Sequence, residues 1–175
     1  MAQKGVSIVA EGNNESKENQ GIPTLASVKA ADFLSNPVLF EEVFGPYSLL
    51  IKANGITELT EALNKIPGQL TATIIGEEDE LIQHADFIRL VMEKAGRVII
   101  NGVPTGVEVC PSMHHGGPFP ATTDSRFTSV GTDAIKRYVR PVCFQNFPDG
   151  LLPEELKTTN PLGIWRMVNS EWGKR

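Results

Sequence analysis

The sequence predicts an α/β layer fold, and three observations carry that expectation. Short β-branched runs recur along the chain, helical periodicity fills the gaps between the central ones, and one long Gly- and Pro-bearing stretch interrupts the pattern. At 175 residues with 41% hydrophobic and 21% charged residues, the chain has ordinary globular composition and enough length to bury a core. The strands are expected at residues 6–10, 24–28, 47–53, 71–76, 97–101 and 138–145. Thr-Ala-Thr-Ile-Ile-Gly and Arg-Val-Ile-Ile-Asn are short and apolar at their centres, as buried strands tend to be.

Between these runs lie the helices. Leu59, Ala62, Leu63 and Ile66 fall at i, i+3, i+4 and i+7, with Thr57 as the expected N-cap and Pro67-Gly68 as the stop. A longer helix is expected from about residue 78 to 95, with Leu81, Ile82, Ala85, Ile88, Met92 and Ala95 on one face and Gly96 ending it. The middle therefore reads strand–helix–strand–helix–strand, with right-handed crossovers wherever the strands are parallel. Residues 102–131 follow no period and hold many Pro, Gly, Thr and Ser, which marks a functional loop or one packed against something else. A short helical turn then runs into the last expected strand, and a Pro- and Trp-bearing tail closes the chain.

Charge and composition exclude several classes. The net charge of −5 gives no overall basic field for nucleic acid or an anionic membrane surface. No apolar run approaches the roughly 20 residues of a transmembrane helix, and the opening Met-Ala-Gln-Lys-Gly has no leader-like apolar core. Two cysteines, Cys110 and Cys143, make no disulfide framework, so a cytoplasmic location is expected.

The most specific string is Glu41-Glu-Val-Phe-Gly-Pro46, just before the strand at 47. On residue chemistry alone it is a helix end with two solvated acids, an apolar plug and a Gly-Pro stop. That reading is the favoured one on chemistry alone; the other is a carboxylate at a strand entrance able to accept two hydrogen bonds from a ribose diol, followed two residues later by an aromatic ring suited to a flat heterocycle. Cys110 with His114 can be drawn as a thiolate–imidazole pair, but it sits in a Glu-Val-Cys-Pro loop with no helix N-terminus to acidify it, and a small packed side chain is expected. Cys143 falls in the last expected strand, where a buried side chain is the default. Cys110, His114 and His115 lack the second ligand cluster of a closed zinc site, and His84 is expected to face solvent, so no metal site is expected.

Glu41-Glu-Val-Phe-Gly-Pro46 resembles the cofactor motif in the catalytic domain of the aldehyde dehydrogenase superfamily. The following Leu70-Thr-Ala-Thr-Ile-Ile-Gly76 and Gly96-Arg-Val-Ile-Ile-Asn-Gly102 resemble that family as well. The string from Met113 to Gly131, together with Ile135-Lys-Arg-Tyr-Val-Arg-Pro-Val-Cys-Phe-Gln-Asn-Phe147, is similar to the branch that oxidises 2-oxoglutarate semialdehyde (2,5-dioxopentanoate). The resemblance runs from about Gly5 to the end. It implies a partial catalytic domain, a three-layer α/β sheet, over residues 1–131, then an oligomerisation strand region over 132–148 and a tail over 149–175.

It further implies NAD or NADP as cofactor and a small-molecule aldehyde as substrate, with a homo-oligomer formed through the C-terminal strand. Glu42 would hydrogen-bond the nicotinamide ribose and Phe44 would pack near the nicotinamide ring. Phe119 and Arg126 lie in the matched loop at the substrate entrance. Arg126 is the residue type that pairs bidentately with a substrate carboxylate, and a local Asp124–Arg126 surface pair or an interface contact is the other reading, favoured on the residues alone. The family's reaction starts with a cysteine thiolate attacking the aldehyde, and hydride then leaves the thiohemiacetal. That cysteine, the base glutamate and the oxyanion asparagine precede the Glu-Glu-Val-Phe-Gly-Pro motif in the family. No cysteine precedes Glu41 here, and no Gly-x-Gly-x-x-Gly loop is present. The resemblance is thus to the C-terminal third, with no catalytic nucleophile in this chain, and the chain alone is expected to be inactive. A stand-alone assembly module of the same fold, and a metal-dependent hydrolase built on Cys110, His114 and His115, are the competing expectations.

Overall fold

A computed structural model of the chain describes residues 3–13 and 18–175. The first two residues of the opening pentapeptide lie outside the described residues. The chain divides into two compact units, Met1–Tyr138 and Val139–Arg175.

The first unit is α/β, with mixed sheets and a few helices. β1 (Ser7–Glu11) pairs antiparallel with β2 (Thr24–Lys29), and β2 pairs parallel with β3 (Tyr47–Lys52). A separate parallel pair joins β4 (Gln69–Ile74) to β5 (Ala95–Ile100). All five of these strands fall within two residues of their expected positions, because each is a short run of strand-forming residues between polar turns.

The core lies where β2 and β3 meet α1 (Ala30–Ser35) and α2 (Ile56–Lys65). Val28, Phe33 and Ala62 are its buried centre, with Leu39, Phe40, Leu49 and Ile51 packed around them. β3 alternates Tyr47, Leu49 and Ile51 inward with Ser48, Leu50 and Lys52 outward, the period-2 pattern of a half-buried strand. Phe33, 1% exposed, stacks at a tilt on Phe40 with centroids 4.9 Å apart. Burial of that ring contributes about 2–3 kcal/mol. Sequence periodicity does not announce α1 or the 3-10 turn Pro37–Phe40 that follows it, since each is too short to show a helical repeat.

Three expectations are corrected by the helices. α2 begins at Ile56 with Gly55 as N-cap and no side-chain cap, so Thr57 lies inside the helix. The Glu58 carboxylate takes over, accepting from the Asn54 backbone N–H at 2.7 Å and its side-chain amide at 3.0 Å. The expected single helix over 78–95 is two: α3 (Glu78–Gln83) and α4 (Ala85–Lys94), broken at His84, whose φ of −107° and ψ of 31° leave the helical region. The break rotates the apolar stripe, so Val91 is buried while Ile82 and Met92 stand 66% and 61% exposed. Gly96 does not end a helix. It sits within β5, which starts directly at Ala95.

Polar ties hold these elements in place. Lys94 donates to the Asn64 and Ile66 carbonyls at 3.0 Å each, so α4 supplies the cation that caps the C-terminus of α2. Past the end of the β4–β5 ladder, the Asn101 side chain donates to the Gly76 carbonyl at 2.9 Å and accepts from the Gly76 N–H at 3.0 Å. That side-chain amide thereby extends the strand pairing by one residue.

The second unit has little core. Two 3-10 turns, Asp149–Leu151 and Glu154–Leu156, precede a hairpin of β6 (Arg166–Val168) and β7 (Glu171–Gly173). Asn169 and Ser170 at its tip have φ of 52° and 66°, the double left-handed turn that suits the twist of a two-residue hairpin. The Arg166 guanidinium donates to the carbonyls of Arg175 at 2.7 Å, Lys157 at 2.6 Å and Thr158 at 2.9 Å. Asn160, 8% exposed, bridges the carbonyls of Ile164 and Lys174.

The strand expected over 138–145 is not formed. Tyr138 ends a 3-10 turn that starts at Thr132, and residues 139–145 carry no ladder. A strand needs a neighbour to take its N–H and C=O groups, and the only strands of this unit pair with each other. Cys143, expected to be buried there, is exposed.

Candidate functional site

Residues 41–46 link the 3-10 turn Pro37–Phe40 to β3. Gly45, with φ of 143°, sits in the region glycine favours, and an added Cβ there would meet nothing within 4 Å. The Pro46 carbonyl accepts from Thr24 N–H at 2.9 Å, which fixes the loop to the start of β2. The result is an open cleft of about 760 Å³ lined by Val38, Glu41, Glu42, Phe44 and Tyr47, among others. Glu42 is exposed there, and Phe44 is 96% exposed. A phenylalanine with nearly all of its ring in water is an unspent apolar surface, and beside a free carboxylate it suits a flat ring carrying a vicinal diol.

The other two expected site residues lie elsewhere. Neither Phe119 nor Arg126 lines this cleft. Phe119 is 78% exposed and precedes a cis peptide to Pro120. Arg126 is held by its neighbour: Nε donates to Asp124 Oδ1 at 2.9 Å and Nη2 to Oδ2 at 2.6 Å, while the backbone N–H donates to Oδ1 at 3.0 Å. Its guanidinium also stands 5.6 Å from the Phe127 ring centroid. The fork that would grip a substrate carboxylate grips Asp124 in this conformation.

The Arg126 side-chain and backbone hydrogen bonds pull the Asp124 pKa from 3.8 down to about 2. The folded pKa lies below the unfolded one, so the pair's stabilising contribution is present above pH 4 and fades as pH falls through about 2. A carboxyl-carbon NMR titration should place the Asp124 midpoint near 2, and Arg126→Ala should return it towards 3.8. A wild-type midpoint near 3.8 would show that the pair does not persist in solution.

The loop over 102–131 is pinned by glycines that periodicity does not single out. A Cβ on Gly96 would lie 1.9 Å from the Gly116 carbonyl oxygen, and one on Gly117 would lie 2.3 Å from that of Gln69. A Cβ on Gly68 would meet the Pro118 carbonyl oxygen at 2.2 Å. The loop thus lies backbone-to-backbone on the first residues of β4 and β5. The only trace in sequence is Gly116-Gly117 beside a proline, because such a contact joins residues about twenty or more positions apart. Thr128, 4% exposed, ties the loop to itself: its Oγ1 accepts from His115 N–H at 2.8 Å and donates to the Val130 carbonyl at 2.6 Å. Arg97 of β5 donates to the Gly106 carbonyl at 2.9 Å and steadies the earlier part.

Cys110 is half-buried with its Sγ 3.4 Å from Ser112 Oγ. Among the described residues, no group of three or more His, Cys, Asp or Glu side chains could hold a metal ion. No helix among them is long and apolar enough to cross a membrane.

No family model matches the chain. Two curated relatives nevertheless match nearly the whole chain, and both are named as alpha-ketoglutaric semialdehyde dehydrogenases. It is 50% identical over 170 residues to the alpha-ketoglutaric semialdehyde dehydrogenase of Acinetobacter baylyi, a match covering 97% of this chain and 32% of that protein. It is 45% identical over 163 residues to alpha-ketoglutaric semialdehyde dehydrogenase 2 of Azospirillum brasilense, covering 93% of this chain and 31% of that one. The chain therefore spans about a third of the length of the curated relatives it matches.

Proposed function

We propose that this chain forms the C-terminal part of the catalytic domain of a nicotinamide-dependent aldehyde dehydrogenase that oxidises an oxo-acid aldehyde, 2-oxoglutarate semialdehyde, to the carboxylate. The observation that carries the reading is the 50% and 45% identity, over nearly the whole chain, to two proteins named for that activity. The cleft at residues 41–46 supports it. Its carboxylate and bare ring suit a ribose diol and a flat heterocycle, and either NAD or NADP presents both.

In that reading the cofactor supplies the hydride acceptor when bound. Glu42 accepts hydrogen bonds from the ribose hydroxyls and so sets the orientation of the ring, while Phe44 lies beside the ring and excludes water from it. Phe119 lines the approach of the aldehyde. Arg126 meets the substrate carboxylate by exchanging Asp124 for it, a like-for-like trade between carboxylates. Residues 139–145 form a strand only against another subunit, consistent with Val139 and Val142 standing 61% and 54% exposed.

The cysteine nucleophile lies outside this chain in this reading, so the chain alone turns over no aldehyde. In this reading adenine and pyrophosphate are held by sequence outside this chain, and calorimetric titration with NAD and with NADP should give no isotherm at micromolar cofactor. A micromolar isotherm, or aldehyde-dependent reduction of cofactor by the chain alone, would overturn the assignment of the missing parts to other sequence.

A further inference from the structure

Two Asn-Gly pairs occur in the chain, Asn54-Gly55 and Asn101-Gly102. An asparagine followed by glycine is prone to lose its side-chain amide, because no Cβ shields the glycine nitrogen as it closes on the asparagine Cγ. Both asparagines are exposed, and neither glycine N–H has a partner among the described residues. The fold nevertheless holds the two pairs differently.

Asn101 follows β5 and is fixed by three hydrogen bonds. Its N–H donates to the Ile74 carbonyl at 2.9 Å, its side-chain amide donates to the Gly76 carbonyl at 2.9 Å, and its Oδ1 accepts from the Gly76 N–H at 3.0 Å. Ring closure must turn Cγ away from Gly76 and towards the Gly102 nitrogen, which breaks both side-chain bonds. The space beside Gly102 is also taken, since an added Cβ there would meet Ile99 Cγ2 at 3.0 Å.

Asn54 lies in the turn from β3 to α2, and its Oδ1 has no partner among the described residues. Its amide makes one hydrogen bond, to Glu58 Oε2 at 3.0 Å, and that oxygen already accepts from the Asn54 N–H at 2.7 Å. The bond to be broken is the longer of two on a shared oxygen, and at the surface water replaces it at little cost. Gly55 is exposed and extended, with φ of 171° and ψ of −179°, and nothing lies within 4 Å of the place a Cβ would take.

We propose that Asn54 is a spontaneous modification site, converted to aspartyl and isoaspartyl residues, while the bonds to Gly76 protect Asn101. The Gly55 nitrogen attacks Asn54 Cγ and the Cγ–Nδ2 bond breaks; the leaving nitrogen takes the Gly55 proton and departs as ammonia. Water then opens the resulting succinimide ring. Hydrolysis at Cγ leaves aspartate, and hydrolysis at the Asn54 backbone carbonyl carbon leaves isoaspartate, with no change of oxidation state in either. The product adds one negative charge and has no amide hydrogen to give Glu58. Its isoaspartyl form also lengthens the backbone by one methylene at the joint between β3 and α2, the helix that supplies Ala62 to the core.

In the test, the full chain is kept folded in mildly alkaline buffer and sampled over days. Its peptides are read by mass spectrometry with electron-transfer fragmentation, which tells aspartate from isoaspartate. Asn54 should convert at least ~10-fold faster than Asn101, the scale set by the additional hydrogen bond that Asn101 must break. In urea the two rates should converge, because both pairs are then open chain. Gly55→Ala, which the extended backbone and free space accept, should keep the circular dichroism of the chain and slow the conversion of Asn54. Equal rates in the folded chain, faster conversion at Asn101, or no conversion at either site overturns the inference. So does a preference that survives unfolding, which would place its origin in the neighbouring sequence. Undiminished conversion in Gly55→Ala also overturns it, by excluding ring closure. No cofactor or aldehyde enters the experiment, so the catalytic reading and this one fail independently.

Discussion

Gly96→Ala is expected to lower the stability of the first unit by about 3 kcal/mol, the upper end of what overpacking ordinarily costs. For a chain of this length that corresponds to a fall of roughly 6–12 °C in Tm. The added methyl would sit 1.9 Å from the Gly116 carbonyl oxygen and 2.5 Å from its carbon, and both are backbone atoms. No rotamer change can relieve such a clash. Either β5 or the loop must move, and the loop cannot move freely because Gly68 and Gly117 hold it against β4 in the same way. Gly106→Ala is the matched control: nothing lies within 4 Å of its added Cβ, and it should melt within a degree or two of wild type. Thermal melts of the two variants read the difference, and equal Tm values would show that the loop does not rest on β5.

The second large effect concerns Glu42. In a polypeptide that joins this segment to the rest of the proposed dehydrogenase, Glu42→Ala should slow hydride transfer about 100-fold, the scale set by misplacing a reacting ring by an ångström. Affinity for the adenosine portion of the cofactor should change little, because the proposed role sets Glu42 against the other end. Glu42→Gln keeps one carbonyl acceptor and should fall between the two. Single-turnover kinetics with deuterated aldehyde separates the steps, since an isotope effect that grows in the variant marks hydride transfer as the step that slowed. Equal kinetics in variant and wild type would remove the ribose assignment.

The local features of the fold were legible in the sequence and the distant ones were not. β1 to β5 were readable because each is a short run of strand-forming residues between polar turns, and the Asp124–Arg126 pair was readable because its members are two residues apart. The break at His84 was not, since Leu81, Ile82, Ala85 and Ile88 keep a helical spacing straight through it. The hairpin of β6 and β7 left only Asn169-Ser170 as a signal, between strands of three residues each. Residues 138–145 erred the other way: their apolar composition is that of a strand, but a strand also needs a neighbour. Phe44 was legible as part of a motif, while its 96% exposure, the property that makes it a contact surface, was not.

The loop over 102–131 obeys two regimes. From Gly116 to Phe119 it is pressed against β4 and β5 by contacts that tolerate no added atom. From Val103 to Val109 it is exposed and steadied by one guanidinium, that of Arg97 on Gly106. The first half can therefore exchange side chains across homologous proteins while the second keeps the register of the whole. The exposed positions of the first half can be rewritten with no renegotiation of the scaffold beneath.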